Sequence, residues 1–182
     1  IDKDTSGLLV VAKTEEAQVG LSKQFFDHTI ERKYNALVWG DFDEDCGTIV
    51  GNLARSPRDR CTMAVCDDEH GKHAVTHWRV LERFRYVTLV ECILETGRTH
   101  QIRVHLSSKG HALIGDQVYV KNKKSAVMLP ADIKNAINTF PRQALHAKSL
   151  GFIHPRTGQQ MQFDSDLPSD MQKLLNLLQT IS

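Results

Sequence analysis

The chain opens on a short polar loop, residues 1–7, and passes directly into an apolar run, Leu8-Leu9-Val10-Val11-Ala12, whose length and flanks predict a buried strand. Thr14 then stands as a helix cap before Glu15 and Glu16, and Ala17, Leu21 and Phe25 recur every four residues on one face. Residues 30–39, rich in β-branched and aromatic types, predict a strand, and the polar stretch 41–47 a turn. Further strands are expected at 48–53 and 63–66, separated by a loop at 55–60 and followed by an acidic turn at 67–72. Residues 74–84 and 86–94 predict a pair of long antiparallel strands joined by a tight turn. Thr99 is placed to cap a helix with Ile102 and Leu106 inward, Lys109 in its last turn and Gly110 just beyond. That helix puts His100 and Arg103 three apart on one face.

After a polar loop at 121–126, Pro130 opens a helix with Leu129, Ile133, Ala136 and Ile137 in register. Residues 144–153 form a strand stopped by His154-Pro155, with a short partner at 161–163. Ser169 to Gln172 has the spacing of a capping box, and Met171, Leu174, Leu175 and Leu178 make a helical stripe that belongs to the core. Many strands and few helices predict an α+β fold built on a mixed, mostly antiparallel sheet, in one domain spanning 1–182.

Composition narrows the class. With 41% hydrophobic and 25% charged residues the chain is globular, no apolar run reaches membrane-spanning length, and no leader pattern opens it, which makes the cytoplasm the default. Four cysteines without a C-x-x-C pair agree with a reducing compartment. The net charge of +1 gives no argument for a polyanionic partner, but its distribution does. Arg55, Arg58 and Arg60, then Arg79, Arg83 and Arg85, then Arg98 and Arg103, then Lys121, Lys123 and Lys124 alternate with acidic turns at 41–45 and 67–69, a pattern that can build one basic face.

The chemistry centres on the opening loop and on residues 97–105. The loop holds Asp2 and Asp4 beside Thr5, Ser6 and Gly7. Taken alone, these residues are turn formers, and Asp4 is assigned to the turn because two ionised carboxylates in one dry pocket oppose each other. A buried carboxylate needs a cation, and Arg103, flanked by Ile102 and Val104, is the candidate partner for Asp2. Cys61, Cys66, His70 and His73 cluster in sequence, but C-x4-C-x3-H-x2-H is not a zinc spacing, and no metal ligands are assigned. His146, beside small residues in a strand, is read as a core or rim histidine.

Five ordered blocks add a further reading: Asp2-Lys-Asp-Thr-Ser-Gly7-Leu-Leu-Val-Val-Ala-Lys13, Glu31-Arg-Lys-Tyr34, Glu95-Thr-Gly-Arg-Thr-His-Gln-Ile-Arg-Val-His105, Gly115-Asp116 with Tyr119, and Arg142-Gln-Ala-Leu-His-Ala147. Together they resemble the RluA-type pseudouridine synthases, most closely the members that modify large-subunit ribosomal RNA. The resemblance implies a central RNA-binding cleft with peripheral helices. It makes Asp2 the essential aspartate, Tyr34 the active-site tyrosine that stacks on the target base, Arg103 the basic partner of the aspartate, and Leu145 a pocket-lining residue. Thr5, Arg98, His100 and Gln101 join Leu145 as the expected substrate-binding set, with structural hydrogen bonding as the alternative for the polar ones. The family's motif has a histidine and an arginine ahead of its leucine, where this chain begins at Ile1. The chain therefore reads as a catalytic domain incomplete at its N-terminus, without any upstream S4-type domain. The implied reaction is redox-neutral and needs no cofactor or metal. RNA is the expected partner, ribosomal before transfer RNA, and a monomer the simplest state. A catalytically silent RNA-binding module is the alternative.

Overall fold

The computed structural model describes residues 1–66, 70–120 and 129–181. The sequence-predicted loop at 121–126 with its lysines, and the acidic residues 67–69, lie outside the described residues. Among the described residues, eight strands form one sheet: β1 (Ser6–Gly7), β2 (Glu31–Trp39), β3 (Cys46–Arg55), β4 (Met63–Cys66), β5 (Lys72–Phe84), β6 (Val87–Leu94), β7 (Leu145–Ile153) and β8 (Gln160–Asp164). Their order is β1-β7-β2-β6-β5-β3-β4, with β8 also on β7. Only β1 runs parallel to its neighbour; the other pairings are antiparallel, as expected of a mixed sheet. Four helices flank it: α1 (Glu15–Phe26), α2 (Gln101–Ser108), α3 (Ala131–Asn138) and α4 (Ser169–Leu178). None is long and apolar enough to cross a membrane.

The central strand β2 is apolar on both faces because both are covered. Leu37 and Trp39 join Phe84, Val87 and Leu89 beneath α3 and α4, where Ile133, Ile137, Met171, Leu174 and Leu178 close the larger core. The alternate residues Ala36 and Val38 pack with Val90, Cys92 and Leu145 against Ile102 and Leu106 of α2. Period-two alternation carries Tyr34 and Arg32 onto this second face, beyond the edge of the core. At Lys33/Tyr34 the register against β7 shifts, because Lys33 pairs with Ser149 and Tyr34 with Ala147, leaving Lys148 as the extra residue.

Several local expectations give way. The apolar run 8–12 is not a strand: its ladder to β7 ends with the Leu8 N–H on the Ala147 carbonyl, at 3.0 Å. Its alternation is nevertheless used, since Leu8, Val10 and Ala12 pack on a small core with Leu21, Ile30 and Phe152 while Leu9 and Val11 stay exposed. Thr99 does not cap α2; His100 holds that place in a left-handed conformation, φ 56°, without a side-chain cap. Ser169 is the first residue of α4, behind a Pro168 cap, so no capping box forms. Thr14 does cap α1, accepting the Ala17 N–H at 3.2 Å.

Candidate active site

The opening loop is fixed by its contacts with residues 142–147. Thr5 N–H bonds the Asp2 carbonyl at 3.1 Å, closing a turn in which Asp4 takes φ 68°. Asp4 thus serves the turn through its backbone. Gln143 donates to the Lys3 carbonyl at 2.6 Å and to the Thr5 hydroxyl at 3.2 Å, and Arg142 reaches the Asp4 carbonyl at 3.3 Å. Arg142 is itself held by a two-pronged pair with Asp170, at 2.8 and 2.9 Å. Ser6 bonds Nδ1 of His146, whose other nitrogen meets the Ser165 carbonyl; His146 is a satisfied core histidine. Gly7 has φ 103°, and a Cβ there would lie 2.3 Å from the Ala147 carbonyl oxygen. Only glycine lets the loop approach β7 this closely.

The loop delivers Asp2 to Arg103. Arg103 Nη1 lies 3.3 Å from Asp2 Oδ2, with the arginine side chain 6% exposed and the aspartate 21%. Arg103 is held more firmly from behind: its Nε and Nη2 bond both carboxylate oxygens of Asp116, at 2.7 and 3.1 Å, and Asp116 is fully buried. The Asp116 carboxylate also accepts the N–H groups of Val118 and Tyr119. Burial opposes both ions, yet the Asp116 and Asp2 carboxylates raise the Arg103 pKa above its ordinary value, and the Arg103 bonds with the two N–H groups hold the Asp116 carboxyl below its own.

Tyr119 completes the support. Its ring centroid lies 5.0 Å from the Arg103 guanidinium carbon. Its hydroxyl accepts the Met63 N–H at 2.9 Å and lies 2.7 Å from His100 Nδ1. Burial pushes the His100 imidazole down, which suits a neutral Nδ1 receiving the Tyr119 proton. Arg103, Asp116 and Tyr119 therefore form one packed unit behind Asp2. Sequence reasoning found Arg103 but left Asp116 and Tyr119 without roles; their place in the fourth ordered block was the only signal.

A cavity of 540 Å³ opens in front of this unit. Asp2, Thr5, Tyr34, Arg98, His100 and Leu145 line it, so the structure brings these expected site residues together; of the three residues expected to be catalytic, Arg103 is the one outside the lining. Tyr34 projects from β2, and its hydroxyl has no hydrogen-bond partner among the described residues. Burial first, and then Asp2, pushes the Tyr34 phenol up, while Arg32 draws it down.

Gln101 is the exception in the expected substrate set. Its oxygen accepts the Thr96 hydroxyl and the Arg98 N–H, and its nitrogen donates to the Val75 carbonyl and Thr76 hydroxyl. With its amide fully engaged by protein, Gln101 ties α2 to β5 and shapes the wall. Arg98 leans on the His73 carbonyl and connects the cavity to a neighbouring groove lined by Arg55 and Lys72. Two of the three arginines at 79–85 are spent elsewhere: Arg83 pairs with Asp41 and Asp45, and Arg79 with Glu91. Among the described residues, no three His, Cys, Asp or Glu side chains converge in a way that could hold a metal ion.

Comparison with known proteins agrees with this geometry. Residues 1–108 match the sequence profile of the family described as RNA pseudouridylate synthase. The chain is 52% identical over 178 residues to "Ribosomal large subunit pseudouridine synthase D" of Zymomonas mobilis, covering 98% of this chain and 54% of that protein. It is 48% identical over 181 residues to the protein of the same name from Nitrosomonas europaea, covering 100% of this chain and 50% of that one. The chain thus spans about half the length of these relatives. Among solved structures, "Human RNA Pseudouridylate Synthase Domain Containing 1" aligns with a TM-score of 0.73 at 26% identity, over 98% of this chain and 78% of that one. "Human RNA Pseudouridylate Synthase Domain Containing 4", at 22% identity, shares the fold with a TM-score of 0.79, over 98% and 74% of the two chains.

Proposed function

The chain belongs to the RNA pseudouridylate synthase family, and we propose on that footing that it converts uridine to pseudouridine in large-subunit ribosomal RNA, with Asp2, Tyr34 and Arg103 as its working residues. The observation that carries this reading is the contact of Asp2 with Arg103 at the wall of a cavity that Tyr34 also lines.

The reaction breaks the N1–C1′ bond, turns the base and joins C5 to C1′; the proton leaves C5 and N1 regains one, so substrate and product are isomers. An ionised carboxylate serves either as nucleophile at C1′ or as base at C2′, and Asp2 is the group at hand. Arg103 meets it at 3.3 Å. Arg103 is in turn kept from closing onto Asp2 as a bidentate pair because Asp116 already occupies two of its donors. Asp2 therefore keeps one oxygen for substrate. The uridine must leave its stack, at a cost of a few kcal/mol, and the Tyr34 ring offsets part of that by stacking while its free hydroxyl lies available for the C5 proton. Thr5, Arg98, His100 and Leu145 complete the pocket.

Release of tritium from unmodified large-subunit ribosomal RNA labelled at uridine C5 tests the proposal, with the chain and its Asp2→Asn variant compared. Release by the first and none by the second is expected. RNA binding without release in either form would favour the silent module, and release from transfer RNA alone would redirect the substrate.

A further inference from the structure

Arg32 is 8% exposed, and its Nε is buried without a hydrogen-bond partner. Among the described residues no carboxylate or carbonyl meets its guanidinium; Cζ lies 5.5 Å from the centroid of the Phe25 ring. Burial pulls the Arg32 pKa down, the mark of a cation lacking compensation. A buried, unpaired charge is costly to keep, and an apolar side chain of the same length would be better tolerated by the fold.

Its position is nonetheless carefully held. Arg32 stands two residues from Tyr34 on β2, on the same face and roughly 6.6 Å away by strand rise, and both line the 540 Å³ cavity. Gly97 makes room for it: a Cβ at 97 would fall 2.5 Å from Arg32 Nη1. A planar donor fork at the cavity wall, with no carboxylate or carbonyl partner among the described residues, describes an anion subsite.

Resting on the reading above of Tyr34 as the platform for the flipped base, we propose that Arg32 binds a phosphodiester of the RNA strand adjoining the reacting uridine. The cleft then has two arginines with different work. Arg103 is balanced by Asp116 and Asp2, whereas Arg32 takes its counter-ion from the substrate.

Arg32→Met tests this by three readings: melting temperature, binding of a short fluorescent oligouridylate across a salt series, and tritium release from ribosomal RNA. The expected result is a melting temperature equal to or above that of the parent chain, affinity down about ten- to hundred-fold, and a slope of log K against log salt shallower by about 0.7–0.9, the loss of one phosphate contact. Arg32→Lys restores the slope, and Gly97→Ala weakens binding at unchanged charge by displacing the guanidinium. A lowered melting temperature with an unchanged salt slope in Arg32→Met would overturn the inference and make Arg32 structural. The outcomes separate from those of the proposed function: tritium release with an Arg32-independent slope sinks only the subsite. An Arg32-dependent slope without tritium release from the parent chain sinks only the reaction.

Discussion

Replacing Asp116 by Asn separates the support of the site from its chemistry. The change is nearly isosteric, so Oδ1 can still accept the N–H groups of Val118 and Tyr119, at 2.9 and 3.1 Å. The new amide nitrogen then replaces the oxygen that faces Arg103 Nε at 2.7 Å, setting donor against donor. Removing one member of a buried ion pair costs about 3–5 kcal/mol. For a chain of this size each kcal/mol shifts the melting temperature by about 2–4 °C, so a fall of about 6–20 °C is expected. Asp2→Asn leaves the Arg103–Asp116 pair intact and removes one 3.3 Å contact of a partly exposed carboxylate, a change expected to stay within about 1 kcal/mol. Turnover should behave differently: lost in Asp2→Asn, and down by about 10²-fold or more in Asp116→Asn through misplacement of Arg103. The Asp116 carboxyl titrates below its unfolded value, so its contribution is complete above about pH 4 and is lost as pH falls through the folded value. The stability gap between parent and Asp116→Asn should therefore be flat from neutral pH down to about pH 5 and shrink under stronger acid. Urea denaturation at several pH values with tritium release on the same samples measures all of this. Equal stability of Asp116→Asn and parent at pH 7 would refute the reasoning.

Three further outcomes follow from the same geometry. Tyr34→Phe keeps the ring and loses a hydroxyl with no hydrogen-bond partner among the described residues, so stability and RNA binding should hold while turnover falls about 10²- to 10⁴-fold; unchanged turnover would remove the hydroxyl from proton transfer. Gly7→Ala drives a Cβ into the Ala147 carbonyl at φ 103° and should lose at least about 1–3 kcal/mol together with activity, read by thermal melts; a neutral result would show the Asp2 loop to be adaptable. The imidazoles of His105 and His146, nearly inaccessible, are pushed down by burial, so their contribution is complete above the unfolded value of about 6.5 and is lost as pH falls through the folded values. Stability should start to fall below about pH 6.5, and a flat urea profile from pH 7 to 5 would contradict it.

Elements with a long, clean period were legible in the sequence. The strands β2, β5, β6 and β7 and the stripe of α4 carry enough apolar residues that packing and pattern agree. Short-range rules failed where tertiary contacts outvote them. The favoured cap Thr99 lost to His100 because the Gln101 N–H closes a tight turn on the Arg98 carbonyl and the Gln101 side chain locks that turn against β5. Leu8 to Ala12 alternates like a strand but finds no ladder partner beyond Leu8, since the same edge of β7 is taken by β8 from Ser149 onward. The proposed trio Asp2, Tyr34 and Arg103 could be named because each sits in one of the ordered blocks. Asp116 was not assigned, because no period or spacing reports that a carboxylate thirteen residues after an arginine meets it in the core.

The distribution of charge explains how a chain of net charge +1 can address a polyanion. Several basic residues outside the cavity lining are paired with carboxylates: Arg83 with Asp41 and Asp45, Arg79 with Glu91, Arg142 with Asp170 and Lys148 with Asp164. Around the cavity the balance is left incomplete. Arg103 is matched by Asp116 and Asp2, while Arg32 and Arg98 have no carboxylate partner among the described residues. Because these cations sit in a concave, partly dry site, their field is screened less than that of exposed lysines and arginines. On the proposed function, local excess rather than global charge would draw the phosphates toward Arg32 and Arg98. Among the described residues Asp2 pairs with Arg103 alone, from behind the cavity wall, which on the proposed function leaves the cavity side of Asp2 to the neutral ring of the uridine.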